Sequence, residues 1–384
     1  MTDTRLWSRD FVLVWAMTFL TFFAAFQLFP TVPFRLGELG LDLGARGRFM
    51  SLFTAGSALG ALLTGPLGDR LGARRMAMTC TLGFGLFLLV YPWLRSVPAF
   101  LWIAFPHGVV WSGVLTATMS LLGRVLPSEN RAQGLSFYGL ASPGGVVVGP
   151  VVGLWSYHAL GFLKMCSSLA LVFAVLAFLA RKLPADPEAH AEPTPFQLPS
   201  GDVVVPCLIL FLTALGYGTF STYTPQEAAA AGLPGAWTGT FLTCMAVGMV
   251  LMRLAMARTG FGTRPIRLLP GMLTGAALGM VLLGLLPGTL LRHALSAMLY
   301  GAGYSMVHTL VNARLLEVVP AERRGGAFGA LLFAFDSGIG LGSFALGAFI
   351  GRFGFRPGWL LGALLVALSL PLAVRLVKAR PAVA

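Results

Sequence analysis

Apolar runs long enough to cross a bilayer recur twelve times along this chain, at residues 11–34, 48–67, 76–95, 99–122, 133–156, 161–181, 203–224, 236–256, 268–287, 293–315, 326–350 and 357–377. In hydrocarbon the backbone finds no water, so each N–H and C=O must be paired within the protein, and only helices or closed barrels can span. A barrel strand takes about 10 residues of alternating character, whereas a helix takes roughly 20 apolar residues for a core of about 30 Å. The runs have helical length and no alternation. They predict an all-α polytopic membrane protein with twelve transmembrane helices. Charged residues make up 11% of the chain, against about 25% in soluble domains.

The net charge of +13 would point to nucleic acid in a soluble protein. Here the bases sit between apolar spans, where they act as topology signals, so the expected partner is the lipid bilayer and no nucleic acid. With the N-terminus inside, eighteen of the 27 Lys and Arg residues fall at cytoplasmic ends, among them Arg5, Arg9, Arg124, Arg181, Lys182, Arg323 and Lys378. The opposite side receives eight, including Arg35, Arg46, Arg95 and Arg356. The bias selects cytoplasmic termini at both ends of an inner (cytoplasmic) membrane protein. Arg5, Arg9 and Asp10 precede an apolar run too long for a cleavable signal, and the first helix is expected to stay as an anchor.

Residues 182–202, KLPADPEAHAEPTPFQLPSGD, are rich in proline and acid and read as a solvated cytoplasmic linker. They separate an N-terminal six-helix half, 1–181, from a C-terminal one, 203–384. The halves repeat at an offset of 193 residues: Pro127, Glu129 and Arg131 fall on Pro320, Glu322 and Arg324, and His107, Gly108, Trp111 and Ser112 on Tyr300, Gly301, Tyr304 and Ser305. Cys80, Cys166, Cys207 and Cys244 lie singly inside apolar runs, without metal-ligand spacing. Phosphate-binding loops, nucleophile elbows and His/Cys clusters are absent from the sequence. No enzyme activity, cofactor or metal is expected.

Between the second and third spans the chain reads GPLGDRLGARR, residues 65–75. This stretch resembles the G-x-x-x-D-R-x-G-R-R loop of the major facilitator superfamily, at Gly65, Asp69, Arg70, Gly72, Arg74 and Arg75, with Ala73 intervening. Gly65 lets helix ends approach, Gly72 permits the turn, and the arginines hold the loop inside. In the fifth span, GVVVGPVVG (residues 145–153) is similar to the antiporter motif G-x-x-x-G-P-x-x-G of exporters in this superfamily, carried by Gly145, Gly149, Pro150 and Gly153. Glycines four apart make a flat surface for a neighbouring helix, and Pro150 frees a carbonyl. Pro30 and Pro33, in LFPTVPF, resemble the paired prolines of twelve-helix drug-efflux members.

Two departures stand out. Ala104 occupies the place where relatives often carry an arginine before the fourth-span glycine, so coupling through that arginine is not available. Arg124 stands where relatives have an acid, although Glu317 keeps one in the other half. Asp69 is therefore expected to face the start of the eleventh span, near Gly325 and Gly326, where a helix dipole favours an anion.

The resemblance implies parallel six-helix repeats with a central cavity lined by the first, fourth, seventh and tenth spans. Tyr300, Tyr304, His308 and Asn312 recur every four residues on one helix face. Aromatic stripes are ordinarily core, but a histidine and an asparagine on the same face argue for a polar lining. Phe26, Gln27, His107, Trp111 and Tyr217 complete the candidate substrate-binding set. The first span carries no carboxylate, so a strongly cationic substrate has no counter-ion there. Asp336, about 15 Å into the eleventh span at 1.5 Å per residue, is the candidate proton-coupling acid, since a carboxylate at that depth is costly and usually functional.

These features lead to a secondary active transporter of small organic molecules, acting as a monomer by proton-coupled efflux and alternating access. The Asp69 loop and the antiporter glycines would serve gating. An uptake symporter or facilitator for a sugar or other metabolite, and a non-transporting membrane receptor or scaffold, stay open as alternatives.

Overall fold

The computed structural model describes residues 7–126, 134, 137, 138, 140–184, 201–233, 240–259, 265–286, 288–318 and 324–378. Among these the regular structure is helical throughout, with no strand. The helices are α1 Arg9–Glu38, α2 Arg48–Leu71, α3 Ala73–Val90, α4 Val97–Val125, α5 Ala141–Leu160, α6 Phe162–Ala180, α7 Gly201–Ala230 and α8 Thr240–Thr259, continuing with α9 Leu269–Leu285, α10 Leu290–Tyr304 and α11 Val307–Val318. The chain closes with α12 Arg324–Leu341, a π-turn at Gly342–Leu346, α13 Gly347–Phe353, α14 Phe355–Ala367 and α15 Ser369–Lys378. A helix lies at each of the twelve apolar runs; the tenth run is divided into α10 and α11, the eleventh into α12 and α13 about the π-turn, and the twelfth into α14 and α15. Eight helical stretches among the described residues are long and apolar enough to cross a membrane. Their outward side chains, such as Leu86, Trp102, Leu171, Leu278 and Leu364, are exposed, an arrangement that water would penalise and lipid accommodates.

Two one-residue turns between successive helices fall at the spacing of the sequence repeat. Gly161, between α5 and α6, has φ 85°, and Gly354, between α13 and α14, has φ 88°. They are 193 residues apart, the offset of the sequence repeat. A positive φ is nearly free for glycine and strained for residues with a Cβ.

The chain packs as two compact units, Met1–Thr31 with Ala55–Pro195, and Val32–Thr54 with Phe196–Ala384. In the first, α3 lies against α6, with Phe84 stacked on Phe173 at 4.6 Å and Gly85 admitting the Phe173 Cβ. Phe11, Met76, Leu121 and Leu176 close its core from α1, α3, α4 and α6. In the second, Leu210, Leu269, Val311, Leu331 and Leu376 form the core. There α7 and α12 approach backbone to backbone, because Gly338 faces Phe211 and Gly342 faces Leu215. The C-terminal end of α1, the loop after it and the first turns of α2 belong to this second unit. Most of the linker expected at 182–202 lies outside the described residues.

Candidate functional site

Helix α5 meets α1 through the three glycines of its motif. A Cβ on Gly145 would lie 2.6 Å from Phe23 N, one on Gly149 2.8 Å from Phe23 O, and one on Gly153 2.7 Å from Gln27 Cα. Three consecutive i, i+4 positions thus bring α5 onto the α1 backbone, leaving no room for side chains between them. Phe26 and Gln27 are themselves buried at this seam, and Pro150 sits within α5 without ending it.

The 65–75 loop is short. Helix α2 continues to Leu71, and Gly72, with φ 86°, begins α3 immediately. Arg74 Nη1 lies 3.4 Å from Leu183 O, tying the loop to the end of the first unit, and Arg75 is exposed. The side chains of Gly65, Asp69, Arg70, Gly325 and Gly326, and residues Pro127, Glu129, Arg131, Pro320 and Glu322, lie outside the described ones.

In the first unit, His107 is fully buried, with Nδ1 2.9 Å from the Tyr91 hydroxyl and its ring against Phe84 and Phe87 of α3. Trp111 is buried between Phe22 at 4.9 Å and Phe84 at 6.1 Å. In the second unit, Tyr300 is likewise fully buried, stacked on Phe220 at 4.4 Å. The repeat-related His107 and Tyr300 therefore both face helix packing. Below Tyr300 the stripe opens: Tyr304 stacks on Tyr217 at 4.7 Å, His308 is exposed, and Asn312 Nδ2 lies 2.9 Å from His308 Nδ1. Asp336 on α12 is 7% exposed and close enough to Tyr304 for its charge to act there.

The opening of the stripe coincides with the break between α10 and α11, at Ser305 and Met306. Here the sequence reading missed Arg253. It lies on α8 and donates from Nη2 to Ser305 O at 2.8 Å. The signal was present, because Arg253 is the one Lys or Arg that falls in neither set of loops.

A second missed group joins the ends of four helices. Glu227 on α7 receives Arg292 Nη2 at 2.8 Å and Trp359 Nε1 at 2.8 Å, with His293 Nε2 at 3.3 Å. Arg292 Nη1 donates to Leu283 O in the last turn of α9 and to Leu286 O just past its end. Both charged residues are buried. The apolar run had ended at residue 224, so Glu227 read as loop, while α7 continues to Ala230.

Beside this group, α7 also holds the loop after α1. Gly47 N donates to the Tyr223 hydroxyl at 3.0 Å, Ser51 Oγ donates to Gly340 O at 2.6 Å, and Arg46 Nη1 donates to Gln226 Oε1 at 3.2 Å. Burial holds the Arg46 guanidinium below its ordinary pKa, and Tyr223 and Asp42 act in the opposite direction. The π-turn at Gly342–Leu346 supplies Ser343, whose Oγ meets Thr222 Oγ1 at 3.0 Å and donates to Gly218 O at 2.9 Å.

The sequence profile of the Major Facilitator Superfamily matches residues 14–343. An uncharacterized MFS-type transporter of Pseudomonas aeruginosa (strain LESB58) is 30% identical over 353 residues, 88% of this chain and 86% of that one. The staphylopine export protein of Staphylococcus aureus (strain Mu50 / ATCC 700699) is 23% identical over 382 residues, 93% of each chain. Among solved structures, the nucleoside transporter NupG superposes with TM-score 0.72 at 14% identity, covering 97% of this chain and 100% of its own. The human organic anion transporter TETRAN superposes with TM-score 0.72 at 18% identity, covering 95% and 99%. At these identities the two structures speak to the fold alone. By the profile match over most of its length, the chain belongs to the major facilitator superfamily and is an integral membrane transporter, not an enzyme.

Proposed function

We propose that the protein exports small organic molecules from the cytoplasm in exchange for protons, by alternating access of the six-helix halves 1–181 and 203–384 joined by the cytoplasmic linker 182–202. The observation that carries this reading is the contact of Gly145, Gly149 and Gly153 with the α1 backbone. It gives the exporter-type motif a mechanical role, a tight α1–α5 seam that moves as one body and admits neither lipid nor water. The name of the staphylopine export protein supports the same direction.

Substrate would be held by the exposed part of the α10–α11 stripe, and Asp336, in the second unit with Tyr304, would carry the proton. The Tyr223, Ser51 and Arg46 bonds to the loop after α1 would form an outer gate. The Asp69 loop would bias the conformational equilibrium from the cytoplasmic side, in an inner membrane with both termini inside. Purified protein in liposomes, screened against solutes with a pH gradient imposed in either direction, tests the reading. Export predicts solute movement against the proton flow; accumulation with the proton flow would make the protein an uptake system instead.

A further inference from the structure

Arg253 stands on α8 within the apolar stretch Phe241–Met256. Thirteen residues from the start of the helix at Thr240, it lies roughly 20 Å along a core of about 30 Å. A guanidinium at that depth is costly, and arginines near helix ends usually turn outward to the interface. Arg253 turns the other way. Its Nη2 reaches across to Ser305 O, and its Nε is buried without a hydrogen-bond partner. Among the described residues it meets no carboxylate, unlike Arg35, which pairs with Glu38, and Arg292, which pairs with Glu227.

The backbone it reaches is interrupted. Ser305 and Met306 separate α10 from α11 at the middle of the tenth span. Ser305 keeps α-helical dihedrals, φ −54° and ψ −35°, with its N–H on Gly301 O, so the helix is interrupted in its hydrogen bonding without unwinding, and interrupted helices are one place where transport sites form. Two further donors flank the break. The Tyr304 hydroxyl is buried and has no hydrogen-bond partner. His308 is exposed, and the Asn312 amide donating to its Nδ1 leaves the ring proton on Nε2. His308 follows Ser305, the residue that Arg253 reaches, by three positions, about one helical turn. Asp336, the acid near Tyr304, is 7% exposed and has interactions of its own.

We infer that Arg253, with Tyr304 and His308, binds a carboxylate of the transported molecule, so that the substrate class is organic anions. The inference rests on the transporter reading and adds the chemistry of its cargo. A positive charge, an unpaired guanidinium N–H and an unpaired hydroxyl are all donors, and a carboxylate accepts from all three at once. A purely structural staple at Ser305 O would need one neutral donor and no charge.

Full-length protein in detergent is tested for ligand-induced thermal stabilisation with succinate and citrate, and with succinamide as the uncharged match; counterflow of the same compounds is followed in liposomes. The wild type is expected to respond to the carboxylates and not to succinamide. Arg253→Gln keeps a donor for Ser305 O and should fold, but should bind carboxylates about tenfold or more weakly. Arg253→Lys keeps the charge and should stay within a few fold of wild type. Equal carboxylate binding by Arg253→Gln and wild type, or an equal response to succinamide, overturns the inference. Counterflow of neutral solutes with no response to any carboxylate overturns it too, while leaving the transporter reading intact. Absence of counterflow for every solute, with carboxylate binding lost in Arg253→Gln, sinks the transport reading and keeps the site.

Discussion

The Tyr223 hydroxyl accepts the backbone N–H of Gly47 at 3.0 Å and points its own proton toward Ser343 O and Gly44 O, at 3.2 and 3.3 Å. One phenol on α7 thereby links the start of α2 to the π-turn after α12. If this link is the outer gate, Tyr223→Phe should favour the outward-open state without unfolding the protein. A lost hydrogen bond of about 1 kcal/mol changes a conformational equilibrium roughly fivefold. Labelling of a cysteine placed at Ser51 should speed up by that order; an unchanged labelling rate removes Tyr223 from the gate.

Glu227 and Arg292 are a buried pair whose separation leaves a charge unpaired. Glu227→Gln should lower stability by about 3–5 kcal/mol, because Arg292 keeps its burial and loses its counter-ion. Adding Arg292→Met should restore part of the loss, since the double variant buries no uncompensated charge. Thermal unfolding of the three proteins decides the matter, and a double variant less stable than Glu227→Gln would contradict the pairing.

Gly149 has backbone in front of it, not the flexible end of a side chain: a Cβ there would lie 2.8 Å from Phe23 O. Gly149→Leu should therefore force α5 from α1, costing about 1–3 kcal/mol or more and reducing transport sharply. Gly271, whose Cβ would meet nothing within 4 Å, is the control, and Gly271→Ala should be close to neutral. Wild-type stability in Gly149→Leu would show that the seam is looser than the contact requires.

Asp336 is the candidate for the proton. Asp336→Asn keeps shape and hydrogen-bonding capacity and removes the titrating group, so downhill exchange of substrate should survive while accumulation driven by a pH gradient is lost. Counterflow and gradient-driven uptake measured on the same liposomes separate the two. A variant that still concentrates substrate takes Asp336 out of the mechanism and leaves His308 as the next group to test.

The amino-acid sequence by itself determined the class of the protein and its helices, because an apolar run of about 20 residues has one stable form in lipid. It also determined the repeat, visible in His107 and Tyr300 and again in Gly161 and Gly354, and it singled out the α5 glycines, whose spacing is a local property of one helix. What it could not decide was which polar residues meet. His107 and His308 look alike as single histidines in apolar runs, yet one is enclosed by Phe84, Phe87 and Tyr91 and the other is exposed beside Asn312. Burial depends on the helix opposite, and helical periodicity carries no information about that neighbour. The break at Ser305 has no proline to announce it, and Arg253 acquires its meaning only through a carbonyl 52 residues away. Only the tertiary structure brought these groups together, because the cost of a charge in lipid depends on partners that local sequence does not name.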